Sequence, residues 1–137
     1  MTGTTRATGH FTAAGWKEHP VTPADASPRL ARATVTNTFT GGIEAAGTDC
    51  AYAVVYVPGG TGTFAGIELF SGRLDGRVGA FAVEERGSFG ADGTVRCVFE
   101  VVAGSGTGEL AGLRGTGEFT ARHGEERVAY TFAYTLG

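Results

Sequence analysis

Four stretches of this chain alternate apolar and polar residues with a period of two, a pattern that fits a β-strand with one buried face. From Leu30 to Phe39, one face carries Ala31, Ala33, Val35, Asn37 and Phe39, and the other carries Arg32, Thr34, Thr36 and Thr38. Between Thr94 and Ala103, residues Val95, Cys97, Phe99, Val101 and Ala103 share a face opposite Arg96 and Glu100. Between Arg114 and His123, Gly115, Gly117, Phe119 and Ala121 oppose Arg114, Thr116, Glu118, Thr120 and Arg122. From Val128 to Leu136, Val128, Tyr130, Phe132, Tyr134 and Leu136 form the last such face.

Further strands are predicted at Thr5–Trp16, Ala46–Val57, Thr61–Leu74 and Arg77–Phe89, making eight. Pro58-Gly59-Gly60, Asp75-Gly76, Asp92-Gly93 and His123-Gly124 punctuate them. Asp-Gly pairs favour type I′ hairpins, since both central residues then need positive φ. Connections this short make neighbours antiparallel, because a parallel pair needs a long crossover. His19–Arg29 holds three of the four prolines and reads as a loop, and Glu109-Leu110-Ala111 as one helical turn. The expected fold class is all-β, an eight-stranded antiparallel up-and-down β-barrel forming one domain over residues 1–137; closure removes exposed edges. The 24 glycines, without a Gly-X-Y period, read as turns, bulges and close backbone approaches.

Charge and composition exclude several classes. Eleven Lys and Arg against 14 Asp and Glu give a net charge of −3 with no basic block, so no nucleic-acid partner is expected. No apolar run reaches the roughly 20 residues of a membrane helix. Met1–Gly9 is polar and lacks the apolar stretch of a secretory signal, so a cytoplasmic location is expected. There, Cys50 and Cys97 are expected to be reduced and buried, with a disulfide the alternative. Val54–Val57, and Ile67 with Leu69 and Phe70, are apolar on both faces. Cover by a second copy, in a dimer or trimer, explains this; cover by the proline-rich loop is the alternative.

Few motifs carry chemistry. Gly106-Thr107-Gly108-Glu109-Leu110-Ala111 matches a dinucleotide-binding string but lacks the βαβ unit that gives the string meaning. His10, His19 and His123 have no metal-ligand spacing, so no metal or other cofactor is expected. No serine sits in a G-x-S-x-G elbow. What remains is a set of polar groups on apolar faces. Glu68 lies with Phe64 and Phe70, Glu85 with Phe81, Val83 and Phe89, and Asn37 with Val35 and Phe39. A carboxyl buried among aromatics has a raised pKa and can act as a general acid or as an anion facing a developing cation. Glu68 and Glu85 are therefore the candidate catalytic residues. Asn37, Tyr52, Tyr56, Phe64, Phe81, Phe99, Tyr130, Tyr134 and Trp16 are the candidate lining of a binding cavity. The competing reading puts both glutamates at barrel rims or pairs them with arginines such as Arg73 and Arg86, and leaves the tyrosines and Trp16 to packing.

The run Gly104-Ser105-Gly106-Thr107-Gly108-Glu109-Leu110-Ala111-Gly112-Leu113-Arg114-Gly115-Thr116-Gly117-Glu118-Phe119 resembles a signature of the allene oxide cyclase-like barrels, which include the dirigent proteins. Over nearly its whole length the chain resembles an uncharacterised bacterial family of that barrel type. The matching residues are Ala7-Thr8-Gly9 with Phe11, Trp16 with Glu18 and Pro20, Arg32-Ala33 with Val35, Thr38-Phe39 and Gly41, Gly66-Ile67-Glu68, Gly79 with Phe81, and Gly87-Ser88-Phe89. The bacterial pattern commonly has a histidine where this chain has Glu85. The resemblance implies a barrel that steers a reactive, largely apolar substrate by shape, without cofactor or metal. Three readings stay open: a cyclase or isomerase acting on an apolar or polyketide-like molecule, a non-catalytic carrier or sensor of such a molecule, and a structural oligomer with a filled barrel.

Overall fold

In the computed structural model, which describes residues 3–137, the alternating segments all form strands, and the first two residues of the expected domain lie outside the description. In chain order they are β1 (Thr5–Pro20), β2 (Arg29–Gly41), β3 (Ile43–Glu44), β4 (Asp49–Val57), β5 (Thr61–Leu74), β6 (Arg77–Phe89), β7 (Val95–Val101), β8 (Leu113–Ala121) and β9 (Val128–Leu136). A one-turn 3₁₀ helix, Gly108–Leu110, precedes β8. All pairings are antiparallel, in the order β3-β5-β4-β2-β1-β9-β8-β7-β6, and β6 also pairs with β5. Eight strands thus form a closed up-and-down ring, with β3 an extra rung on the end of β5.

The boundaries depart from expectation where glycines interrupt the chain. The strand expected from Ala46 begins at Asp49, and Ile43–Glu44 pairs separately, because Gly41 and Gly47 take positive φ on either side. Asp75 and Gly76 both take positive φ, as a type I′ hairpin needs. At Asp92-Gly93 only Gly93 does, so the expected I′ turn is absent there. Instead the Asp92 carboxylate accepts from the Thr94 N–H and hydroxyl, at 3.0 and 3.1 Å.

β1 runs to Pro20, past the expected end at Trp16. Ala14 pairs with Thr36 but Lys17 with Thr34, so β1 carries one extra residue there, with Gly15 at φ 72°. Such a bulge shifts the alternation by one place. Trp16, which simple alternation would send outward, turns over the end of the ring against Tyr52, 6.2 Å between ring centroids.

The interior divides into two regions. The larger core cluster contains Phe39, Phe70, Phe81, Phe99, Phe132, Tyr130 and Tyr134 with aliphatic neighbours. Leu110, fully buried, enters this cluster from the 3₁₀ turn. The segment around it also completes β6. Beyond the reach of β7, the N–H groups of Val78, Ala80 and Ala82 donate to Glu109 Oε1, Thr107 Oγ1 and Ser105 Oγ. A second, smaller cluster holds Ala33, Val35, Cys50, Tyr52 and Val54 toward the opposite end.

Inward glycines face these rings across the strands. Gly66 pairs with Tyr52, Gly87 with Phe64, Gly62 with Phe89, Gly117 with Phe99 and Gly9 with Tyr130. A Cβ on Gly117 would stand 2.1 Å from Phe99 Cζ and 2.6 Å from the Thr131 carbonyl oxygen. These glycines make room for aromatic side chains, a use the reading of turns and bulges does not contain. Gly117→Ala is accordingly expected to cost about 1–3 kcal/mol of stability, as overpacking does, measured by urea unfolding.

Candidate functional site

The register of β2, β4, β5 and β6 brings their inward polar residues together. Cys50 pairs with Glu68, Tyr52 with Gly66, and Gly66 with Glu85, while Cys50 also pairs with Val35, two residues before Asn37. Glu68 and Glu85 are both buried, 2% and 4% exposed. Neither lies at a rim or on an arginine. Asn37 Nδ2 donates to Glu68 Oε2 at 2.9 Å, and the Thr48 hydroxyl donates to the same oxygen at 2.5 Å. The Tyr52 hydroxyl donates to Glu85 Oε1 at 2.6 Å, and the Cys97 thiol points at that oxygen at 3.8 Å. Among the described residues, no buried side-chain nitrogen or oxygen lacks a hydrogen-bond partner.

Two carboxyls this close in a dry interior cannot both ionise cheaply. Burial pushes Glu85 up to about 9. Hydrogen bonding and repulsion from Glu68 act in the same direction, against the smaller opposing effects of Tyr52 and Cys97. Near neutral pH Glu85 therefore holds a proton, and Glu68 receives donors from Asn37 and Thr48. Burial likewise raises the thiols of Cys50 and Cys97, which are free and buried as expected, and the Tyr52 hydroxyl.

Cys50 Sγ and one oxygen from each carboxyl lie within 4.8 Å of one another. The grouping has no sequence spacing, because its members come from three strands. Glu68 Oε2 and Glu85 Oε1 already accept protein donors.

Above Asn37 and Tyr52 the ring is hollow. A cavity of about 510 Å³ opens between the hairpins around Gly60 and Ala91, with Trp16 at its margin. Five of the expected lining residues meet there: Asn37, Tyr52, Tyr56, Phe64 and Trp16. Phe11, Phe89, Val95 and Phe119 line it as well and were not singled out from the sequence, although Phe89 shares the face of Glu85. Phe81, Phe99, Tyr130 and Tyr134 do not line it. They fill the larger cluster, where Phe81 and Phe99 pack on Phe132, and where the Tyr130 hydroxyl accepts from Ile43 N–H at 2.8 Å and donates to the Thr40 carbonyl at 3.0 Å. Glu68 and Glu85 stand behind the lining, touching it through Asn37 and Tyr52. Thr48 is a member of the polar cluster that alternation could not reveal, since it lies between strands.

The pair gives stability a definite pH dependence. Unfolded, Glu85 loses its proton near 4.5; folded, it keeps it up to about 9. Its contribution is thus complete below the unfolded value and declines as pH rises toward the folded one. Glu85→Gln, a neutral match in shape, removes that decline. Relative to the parent, the variant's unfolding free energy should rise between about pH 5 and 8, by at most about 1.4 kcal/mol per unit, in urea titrations at several pH values.

Comparison with known proteins agrees with the geometry without adding an activity. Curated proteins give no match. A solved structure from Shewanella oneidensis MR-1, described as a protein with unknown function from the DUF3224 family, is 28% identical. It superposes with a TM-score of 0.79, over 98% of this chain and 99% of that one. The profile of the family described as "Protein of unknown function (DUF3224)" matches residues 7–134, and the chain belongs to that family.

Proposed function

We propose that this protein binds a small, largely apolar molecule in the hollow end of its ring and moves a proton on it, as a cofactor-free isomerase or cyclase. The observation that carries this reading is an aromatic cavity whose two inner polar groups, Asn37 and Tyr52, are each hydrogen-bonded to one member of a buried carboxyl pair. Eight-stranded barrels are of a size to hold one small ligand. On this reading the ring is a barrel of the allene oxide cyclase-like type, a relation supported by the resemblance through Gly104–Phe119.

The pair is built to accept a proton. With one proton between two carboxyls it carries one negative charge; taking a second makes it neutral, which a dry interior favours. A ligand proton passed to the Tyr52 oxygen, while Tyr52 hands its own to Glu85 and Glu85 passes the one it holds to Glu68, would leave the phenol and Glu85 unchanged and the pair neutral. Return of a proton at another ligand atom completes an isomerisation. The same negative charge stabilises positive charge developing on the ligand, and the walls hold it in a reactive conformer.

A carrier is the second reading, favoured by the position of both carboxyls behind the lining rather than in it. Two measurements separate the readings. Nile red, a neutral apolar dye, should bind and quench Trp16, the chain's one tryptophan. Ala91→Phe, at an exposed position on the cavity's rim, should weaken that binding with the fold intact by circular dichroism. The α-hydrogens of phenylacetone in deuterated buffer then report proton transfer by NMR. An enzyme should accelerate their exchange, with Tyr52→Phe and Glu85→Gln slowing it at least about a hundredfold while Nile red still binds. Dye binding without accelerated exchange of this ketone favours the carrier.

A further inference from the structure

The polar groups at the bottom of the cavity are unusually one-sided. Tyr52 has one proton and gives it to Glu85 Oε1, so toward a further partner its oxygen can only accept. Asn37 turns its amide nitrogen to Glu68 Oε2, which leaves its carbonyl oxygen as the end free to accept. Behind both stands a carboxyl pair bearing a negative charge. Among the described residues, no lysine, arginine or histidine lines the cavity. At the mouth, Arg29 lies over the Tyr56 ring at 4.1 Å. There Glu18 offsets it, accepting from Tyr56 and, at 3.2 Å, from Trp16 Nε1. The walls carry the aromatic rings of Trp16, Tyr52, Tyr56, Phe64 and Phe89.

Resting on the pocket reading above, we infer that the molecule held there is a cationic amine: an aromatic or alkyl body in the apolar walls, with a protonated nitrogen pointing inward to the Tyr52 oxygen and the Asn37 carbonyl. Three features favour that head group together. An ammonium brings donors to a floor that offers acceptors. Its charge answers the uncompensated negative charge of the pair through a medium that screens less than water. Aromatic faces attract cations as well. A carboxylate of the same shape meets acceptors and like charge, and an alcohol brings one donor and no charge.

Three probes with a common phenylethyl body isolate the head group: phenethylamine, phenethyl alcohol and hydrocinnamate. Each is titrated into the full chain at neutral pH and one ionic strength, with Trp16 emission as the reading and isothermal calorimetry as the check. Phenethylamine should bind at least about tenfold more tightly than phenethyl alcohol, and hydrocinnamate should bind weakest. Asn37→Leu, made in chains that still melt cooperatively, should narrow the gap between amine and alcohol, since it removes the carbonyl and not the walls. Equal binding of all three, or tightest binding of hydrocinnamate, overturns the inference and leaves the cavity a binding site for another head group. Binding of none of them overturns the pocket reading itself, and this inference with it.

Discussion

Everything in this molecule depends on fitting aromatic rings inside a ring of eight strands. The interior of such a ring is narrow, and each strand sends every second side chain into it. Large residues at all inward positions would not fit. The chain solves this by placing glycine directly across from a ring: Gly66 against Tyr52, Gly87 against Phe64, Gly117 against Phe99. Each glycine gives up local backbone rigidity, and the ring opposite covers the exposed strand. The arrangement also fixes register, since a slip of one residue would bring side chains into rings and turn the inward set outward.

The same packing explains why an acid pair survives in the interior. Glu68 and Glu85 sit where the solid cluster gives way to the cavity, on neighbouring strands with Gly66 between them in register. Hydrocarbon of similar volume would cost less to bury. The four donors around the pair, from Asn37, Thr48, Tyr52 and Cys97, reduce that cost without removing it. All four come from other strands or a loop, so the cluster exists only when the ring has closed. Acidic groups kept behind the floor of an apolar cavity, by residues that are themselves held in place, are the kind of preorganisation that binding and catalysis draw on.

The sequence announced most of this, unevenly. Period-two alternation identified four strands of the ring, because one side of each is dry; turn signals placed the other four, and shared apolar faces marked Asn37, Glu68 and Glu85 as inward. They also put Tyr52 and Tyr56 on the cavity side. Alternation could not divide the interior into solid and hollow parts: Phe81 and Phe64 look alike in sequence, and only their height along the ring separates them. Trp16 was legible as a residue at the end of β1, but its inward turn depends on the bulge at Gly15, which breaks the alternation that the reading uses. Thr48 and Cys50 escaped notice as partners of the pair because proximity across strands leaves no trace in spacing. The Gly104–Phe119 run carried the family resemblance, and its hydroxyls and Glu109 turn out to complete the unpaired edge of β6.

Because Leu110 and the 3₁₀ turn occupy one end, the hollow part of the ring is a cup and not a tube. On the proposed reading, a ligand would enter past Trp16 and the two hairpins and leave by the same route. Its dwell time would then be set at the rim, by residues remote from the acid pair, and its affinity at the floor.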